Sequence, residues 1–218
     1  MRHAVRLAPT RNNAGGVRRR LIEMESPKVG TPVPPSPDIR KYRLIVTGHD
    51  DRGQSVFVSD RTAPHVMTVL QTSTYAVTDL WKAHSLPADN GHLTSADPCG
   101  VPLLVAPPAG GCVFRVVEFP PDRDWEAKVA AMGGSAPIDE TARLPAGGVA
   151  RHGQMHRTRS LDFAIVLSGE IWAIVELGEK KMTAGDMLVQ RGTNHAWANR
   201  SDKPCNVAFI LIDAKPPE

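Results

Sequence analysis

The side chains able to do chemistry concentrate in two short stretches of this 218-residue chain. One, 148–170, places His152, Gln154, His156, Thr158 and Asp162 between Gly148 and the Gly169-Glu170 pair. The other, 185–199, places Gln190, His195, Trp197 and Asn199 behind Gly185-Asp186. Side chains alternate along an extended backbone, so Gln154, His156 and Thr158 share one face, and His195, Trp197 and Asn199 share another. His152 has the parity of His156, although Gly153 favours a turn between them. It stands either as a substitute imidazole for the same site or as a proton shuttle. Arg157 and Arg159 alternate away and read as a solvated face.

Each of these residues also has an ordinary role open to it. His156 suits a hydrogen-bonded core histidine, Asp162 a strand start that bonds turn amides, and His195 a loop cap after Gly192-Thr193-Asn194. Trp197 suits core or pocket wall, and Asn199 a structural tie. The remaining histidines, His49, His65, His84 and His92, have no ligand spacing. Cys99, Cys112 and Cys205 are widely separated and odd in number, which argues against a disulfide framework and against a Cys-x-x-Cys zinc site. A reducing, cytoplasmic setting fits them.

The elements that must position these residues are strands. Hydrophobic residues at 41% and charged residues at 22% describe a globular chain, and 18 Gly with 19 Pro imply many tight turns. No apolar run is long enough to span a membrane. Six of the 26 basic residues (Arg2, Arg6, Arg11, Arg18, Arg19, Arg20) fall before the first acid, Glu23, so the net charge of +3 belongs to an arm on a mildly acidic body. Such a distribution, with few aromatic residues, does not make a nucleic-acid-binding face. The arm lacks a secretory apolar segment and reads as disordered, with Met24 as an alternative start; five prolines between Pro27 and Pro37 follow as an extended tether. Beyond it, strand pairs are expected over 42–47 with 55–59 and over 65–71 with 74–81, a short strand over 101–105, a strand over 113–119 and a helix over 122–132. Short strands at 163–167, 171–177, 181–182, 187–190 and 207–212, separated by Gly, Asp, Asn and Pro turns, predict an all-β sandwich or barrel.

The two stretches resemble the paired motifs of the cupin superfamily, G-x5-H-x-H-x3,4-E-x6-G and G-x5-P-x-G-x2-H-x3-N. The resemblance spans about residues 110–215 and implies an all-β fold, the double-stranded β-helix or jelly-roll barrel with a central pocket, and frequently a homodimer. Residues 1–37 are then a disordered basic arm and Pro-rich tether, and 38–109 a β extension that packs on the barrel or on a partner subunit. Counting back from Gly169 sets Thr158 beside His156 at the two histidine positions. Counting forward from Gly148 sets Gln154 there instead. Asp162 takes the place of the family's glutamate, His195 is retained, and Gln190 or Arg191 stands where proline is usual.

The implied metal set is therefore His156, Asp162 and His195. Two imidazoles and a carboxylate suit a divalent transition ion (Fe, Mn, Ni, Co or Zn). Gln154, Thr158, Gln190 and Trp197 are the implied pocket residues, and Asp162, if it is not a ligand, the general base. Two functions follow. One is a metal-dependent cupin enzyme acting on a small molecule as an oxygenase, decarboxylase, isomerase or lyase. The other is a metal-free cupin that binds a small ligand without catalysis. A regulator would need a helix-turn-helix that residues 1–110 do not offer.

Overall fold

The computed structural model describes residues 6–11, 17–22, 33–90, 98–100, 103–131, 142 and 148–215. Residues 1–31 and 32–218 form separate units. In the first, Arg6–Arg11 (β1) and Val17–Ile22 (β2) pair antiparallel, with Leu7 opposite Leu21. The strand pair replaces, over these residues, the disorder expected from charge alone. Backbone pairing needs no buried side chains, and Asn12, Asn13, Gly15 and Gly16 between the runs are turn-forming types. The rest of the expected arm, and the tether as far as residue 32, lie outside the described residues.

The second unit is almost wholly antiparallel β. Its strands are Arg43–His49 (β3), Ser55–Thr62 (β4), His65–Thr68 (β5), Ala76–Ala83 (β6), Cys112–Phe119 (β7), Ser160–Ser168 (β8), Glu170–Val175 (β9), Gly178–Thr183 (β10), Met187–Arg191 (β11), His195–Ala198 (β12) and Cys205–Asp213 (β13). They form a six-stranded sheet, β11-β8-β13-β7-β6-β5, a three-stranded sheet, β10-β9-β12, and the hairpin β3-β4. The expected helix is shorter than its sequence pattern, a 3-10 turn at Asp122–Asp124 followed by Glu126–Ala131 (α1). No strand forms over 103–105, where one was expected from 101. Leu103 and Val105 instead reach the interior from a loop, and residues 101 and 102 lie outside the described residues.

Period-two alternation builds the core. Val113 and Val117 of β7, Ala164 and Val166 of β8, Ile171 and Ala173 of β9, Trp197 of β12, and Val207, Phe209 and Leu211 of β13 all join one buried cluster between the two larger sheets. The opposite face of the six-stranded sheet is partly covered. Leu80, Val116 and Ala208 pack with Ala63, Tyr42 and Leu44 of the segment around β3 and β4. The Tyr42 hydroxyl donates to Asn206 Oδ1 (2.5 Å) and the Arg40 amide to Glu118 Oε2 (3.1 Å), so the preceding chain is tied down by polar contacts as well. β6 carries a bulge in which Leu80 and Trp81 stand against Phe114, so that Asp79 and Lys82, three apart, point to the same side.

Between β8 and β9 the chain passes from one sheet to the other at Gly169, whose φ is +80°. A Cβ here would lie 2.8 Å from the Pro204 carbonyl oxygen and 2.9 Å from Cys205 Cα, so the corner requires glycine for space as well as for dihedral. Gly185 has φ +95° but nothing within 4 Å of its would-be Cβ. Gly169→Ala is therefore expected to destabilise the fold by ~1–2 kcal/mol more than Gly185→Ala, read from urea unfolding. Equal losses would mean that the close approach to β13 carries no weight.

Candidate active site

His156 and His195 exchange both backbone hydrogen bonds, N–H to carbonyl in each direction at 2.9 Å, which adds one residue pair to the free edge of β12. Their rings lie 4.4 Å apart, centroid to centroid. In each ring Nδ1 meets a carbonyl two residues earlier, Gln154 at 2.8 Å for His156 and Thr193 at 3.0 Å for His195. A carbonyl only accepts, so both Nδ1 atoms carry the proton, and in the neutral rings the lone pair sits on Nε2. This is the tautomer of metal-binding imidazoles. Burial, aided by the neighbouring His156 and opposed by the Thr193 carbonyl, pushes the His195 pKa down to about 3. At neutral pH His195 is thus a lone-pair donor and not an acid.

Both rings face a partly open cavity. Thr158, Asp162, Trp197 and Arg115 share its wall with Tyr75, Phe119, Phe209 and aliphatic side chains. A mostly apolar cleft with a few convergent polar groups is the usual form of a small-molecule site. Asp162 is 4% exposed, and its Oδ1 has no hydrogen-bond partner. Burial raises its pKa to about 6, against the lowering effects of Ser160 and Arg115. A carboxyl poised there takes up or gives back a proton near neutrality. It lines the cavity without joining the two imidazoles in a group whose ligand atoms all lie within 4.8 Å of one another.

The structure brings together five of the seven residues implied as metal ligands or pocket wall: His156, Thr158, Asp162, His195 and Trp197. Gln154 and Gln190 are not on the cavity wall. Residues 152–155 turn, with the Met155 amide on the His152 carbonyl (3.1 Å), so the extended segment that sets side-chain parity begins only at His156. Gln190 is buried directly across from Asp162 on β11, but its amide is spent on Thr193, on the loop leading to His195. His152 turns its ring toward Asp122 and Glu126. Asn199, fully buried, donates to the carbonyls of Phe119 and Lys203 (both 2.8 Å) and holds the chain after β12.

Sequence reasoning missed Arg115. Its guanidinium, 4% exposed, pairs with the buried Asp79 (Nε to Oδ1, 2.9 Å) and donates to the Val105 carbonyl (3.3 Å). Lys82 Nζ meets the other Asp79 oxygen at 2.9 Å. The signal was present in β7, where Arg115 interrupts the inward apolar series Val113, Val117, Phe119. A charge at such a position is seldom buried unless paired.

A family profile described as the cupin domain matches residues 141–212, from before the His156 segment almost to the end of β13. The chain is similar to phomopsin biosynthesis cluster protein C' of Diaporthe leptostromiformis, 30% identical over 194 residues that cover 84% of each chain. It is similar also to the cupin-domain-containing oxidoreductase srdB of Neurospora crassa, 28% identical over 185 residues, 84% of this chain and 79% of the other. Among solved structures, a cupin 2 conserved barrel domain protein from Salinispora arenicola is similar at 13% identity and a TM-score of 0.35, over 64% of this chain and 76% of that one. A sandwich whose inward strands carry paired imidazoles, a family match falling on those strands, and 30% identity to a relative across most of both chains lead to one assignment: the chain belongs to the cupin superfamily.

Proposed function

We propose that the protein is a cupin enzyme acting on a small, largely apolar molecule bound between the two larger sheets. The observation that carries this reading is the His156–His195 pair, with the Nδ1 bonds setting both lone pairs on Nε2, on one cavity wall with Asp162. The two imidazoles fit a divalent transition ion: His156 and His195 would hold it, and Asp162, whose oxygens do not converge with them, would serve as the base. Such an ion supplies Lewis acidity toward a substrate oxygen. Asp162 accepts a proton from the substrate and returns it, and the apolar walls exclude water from the exchange. The oxidoreductase name of the Neurospora crassa relative makes oxidation the first reaction class to assay. A second reading, ligand binding without metal or catalysis, draws on Thr158. It occupies one of the positions where the family has a second histidine, and its hydroxyl is already bonded to Ser160 (2.7 Å).

Metal analysis of protein purified without added ions decides between the two. A transition ion retained by the wild type and lost from the cavity in His156→Ala/His195→Ala is the expected result. A folded wild type that takes up no Fe, Mn, Ni, Co or Zn at these histidines would leave the ligand-binding reading.

In the metal-free protein the two buried groups act oppositely on stability. His195, lowered from 6.5 to about 3, stabilises the fold above its unfolded pKa, and that contribution fades as pH falls below 6.5. Asp162, raised from 3.8 to about 6, does the reverse: its ionisation costs stability above 6, and acidification relieves the cost. At about 1.36 kcal/mol per pH unit, going from about pH 7.5 to about 4.5 removes about 3 kcal/mol through His195 and restores about 2 through Asp162. Asp162→Asn is therefore expected to lose about 2 kcal/mol more than the wild type over that interval in urea titrations. Parallel losses would show that Asp162 titrates normally.

A further inference from the structure

Outside the cavity, His152 is a buried imidazole with an unmet need. Its side chain is 9% exposed, and its Nε2 is buried with no hydrogen-bond partner, 3.7 Å from Asp122 Oδ2 and 3.6 Å from Glu126 Oε1. These separations exceed the ~2.7–3.2 Å of an N–H···O bond. They match ligand atoms that share one ion, which at bond lengths of ~2.0–2.2 Å stand ~3–4 Å apart. Among the described residues this is the group of His, Cys, Asp and Glu whose ligand atoms all converge within 4.8 Å.

We propose that Asp122, Glu126 and His152 form a divalent-cation site, separate from the cavity imidazoles, that clips the 122–126 segment to the turn at 152–155. The surroundings orient the donors as a built site would. Asp122 Oδ1 accepts from the Asn199 amide (3.0 Å), and the Asp122 amide donates to the Asn199 carbonyl (2.8 Å), which leaves Oδ2 toward the imidazole. The edge of the Trp125–His152 contact, 5.9 Å between centroids, fixes the plane of the ring. One imidazole and two carboxylates suit a borderline ion such as Zn(II), with remaining positions for water.

Ion binding has one stated cost. The Gln154 amide now points at His152 Nδ1 (3.2 Å), so the neutral ring carries its proton on Nε2. Ligation through Nε2 moves that proton to Nδ1 and opens the contact. The clip also touches the cavity indirectly, because Trp125 packs on Tyr75 (5.8 Å between centroids), a cavity-wall residue.

The test is calorimetric titration of the metal-stripped full chain with Zn(II), in the wild type and in His156→Ala/His195→Ala, each with and without Glu126→Gln or His152→Gln. In the cavity variant, where any ion counted lies elsewhere, one Zn(II) per chain is expected. Glu126→Gln should weaken it more than ~10-fold and His152→Gln should abolish it. Zn(II) should raise the Tm of the cavity variant and not that of its His152→Gln derivative. Nitrogen shifts of His152 should report the Nε2-to-Nδ1 change of tautomer on loading. The proposal is overturned if Zn(II) uptake is indifferent to both Glu126→Gln and His152→Gln, or if the folded cavity variant takes up none. Should the cavity variant fail to fold, the wild-type count must drop by one ion in His152→Gln, and an unchanged count is the overturning result. Loss of one of two Zn(II) ions on changing His156 and His195 removes the cavity ion alone, and the ion retained is the one the clip predicts.

Discussion

Two backbone hydrogen bonds between His156 and His195 govern the chemistry available to this protein. Because each residue gives its N–H to the other and receives the other's in return, the two Cα atoms are locked as a strand pair and both side chains must leave on the same side. The carbonyls two residues upstream then capture the two Nδ1 protons, and ring orientation follows from backbone geometry with little left to side-chain packing. The low basicity of His195 is a further result of the same lock, since a ring held in a dry wall beside a second imidazole cannot easily take on charge.

Around that pair the sandwich accepts several polar groups that its apolar walls do not reward. Asp79, Lys82, Arg115 and Asp162 are all nine-tenths buried or more. Paired charges of this kind seldom add stability over an apolar core of the same volume, yet deleting one partner leaves the other stranded. The Asp79 group resolves its own burial by ion pairing, whereas Asp162 keeps one oxygen without a hydrogen-bond partner and answers burial by holding its proton more tightly. The contrast marks Arg115 as framework at the edge of the cavity and Asp162 as the group with capacity left for a ligand.

How far the sequence discloses this site depends on how local the determinants are. His156, Thr158, Asp162, His195 and Trp197 stand at spacings counted from Gly169 and Gly185, and strand alternation then turns most of them inward, so they were legible. Gln154 was misplaced because alternation was extended through Gly153 into a turn. Gln190 was misplaced because its inward parity is right while its amide is drawn off by Thr193, a contact no spacing rule contains. Arg115 and Asp79 meet only through the β6–β7 pairing, across 36 positions of sequence, and no local pattern announces that register. The fold class was readable from short strands and turn residues; the hairpin of the basic arm was not, because charge composition is silent about backbone pairing.

The bulge in β6 shows how much can hang on a count of residues. Leu80 is the extra member of that strand, and the bulge that absorbs it is what keeps Lys82 on the side of Asp79. Were the same residues laid on an unbroken pleat, Lys82, three positions after Asp79, would fall on the outer face, and Asp79 would keep a single cation. The electrical balance beside the cavity is therefore held by a backbone irregularity as firmly as by the identity of the charged side chains, because the bulge absorbs Leu80 and keeps Lys82 across from the inward Val113.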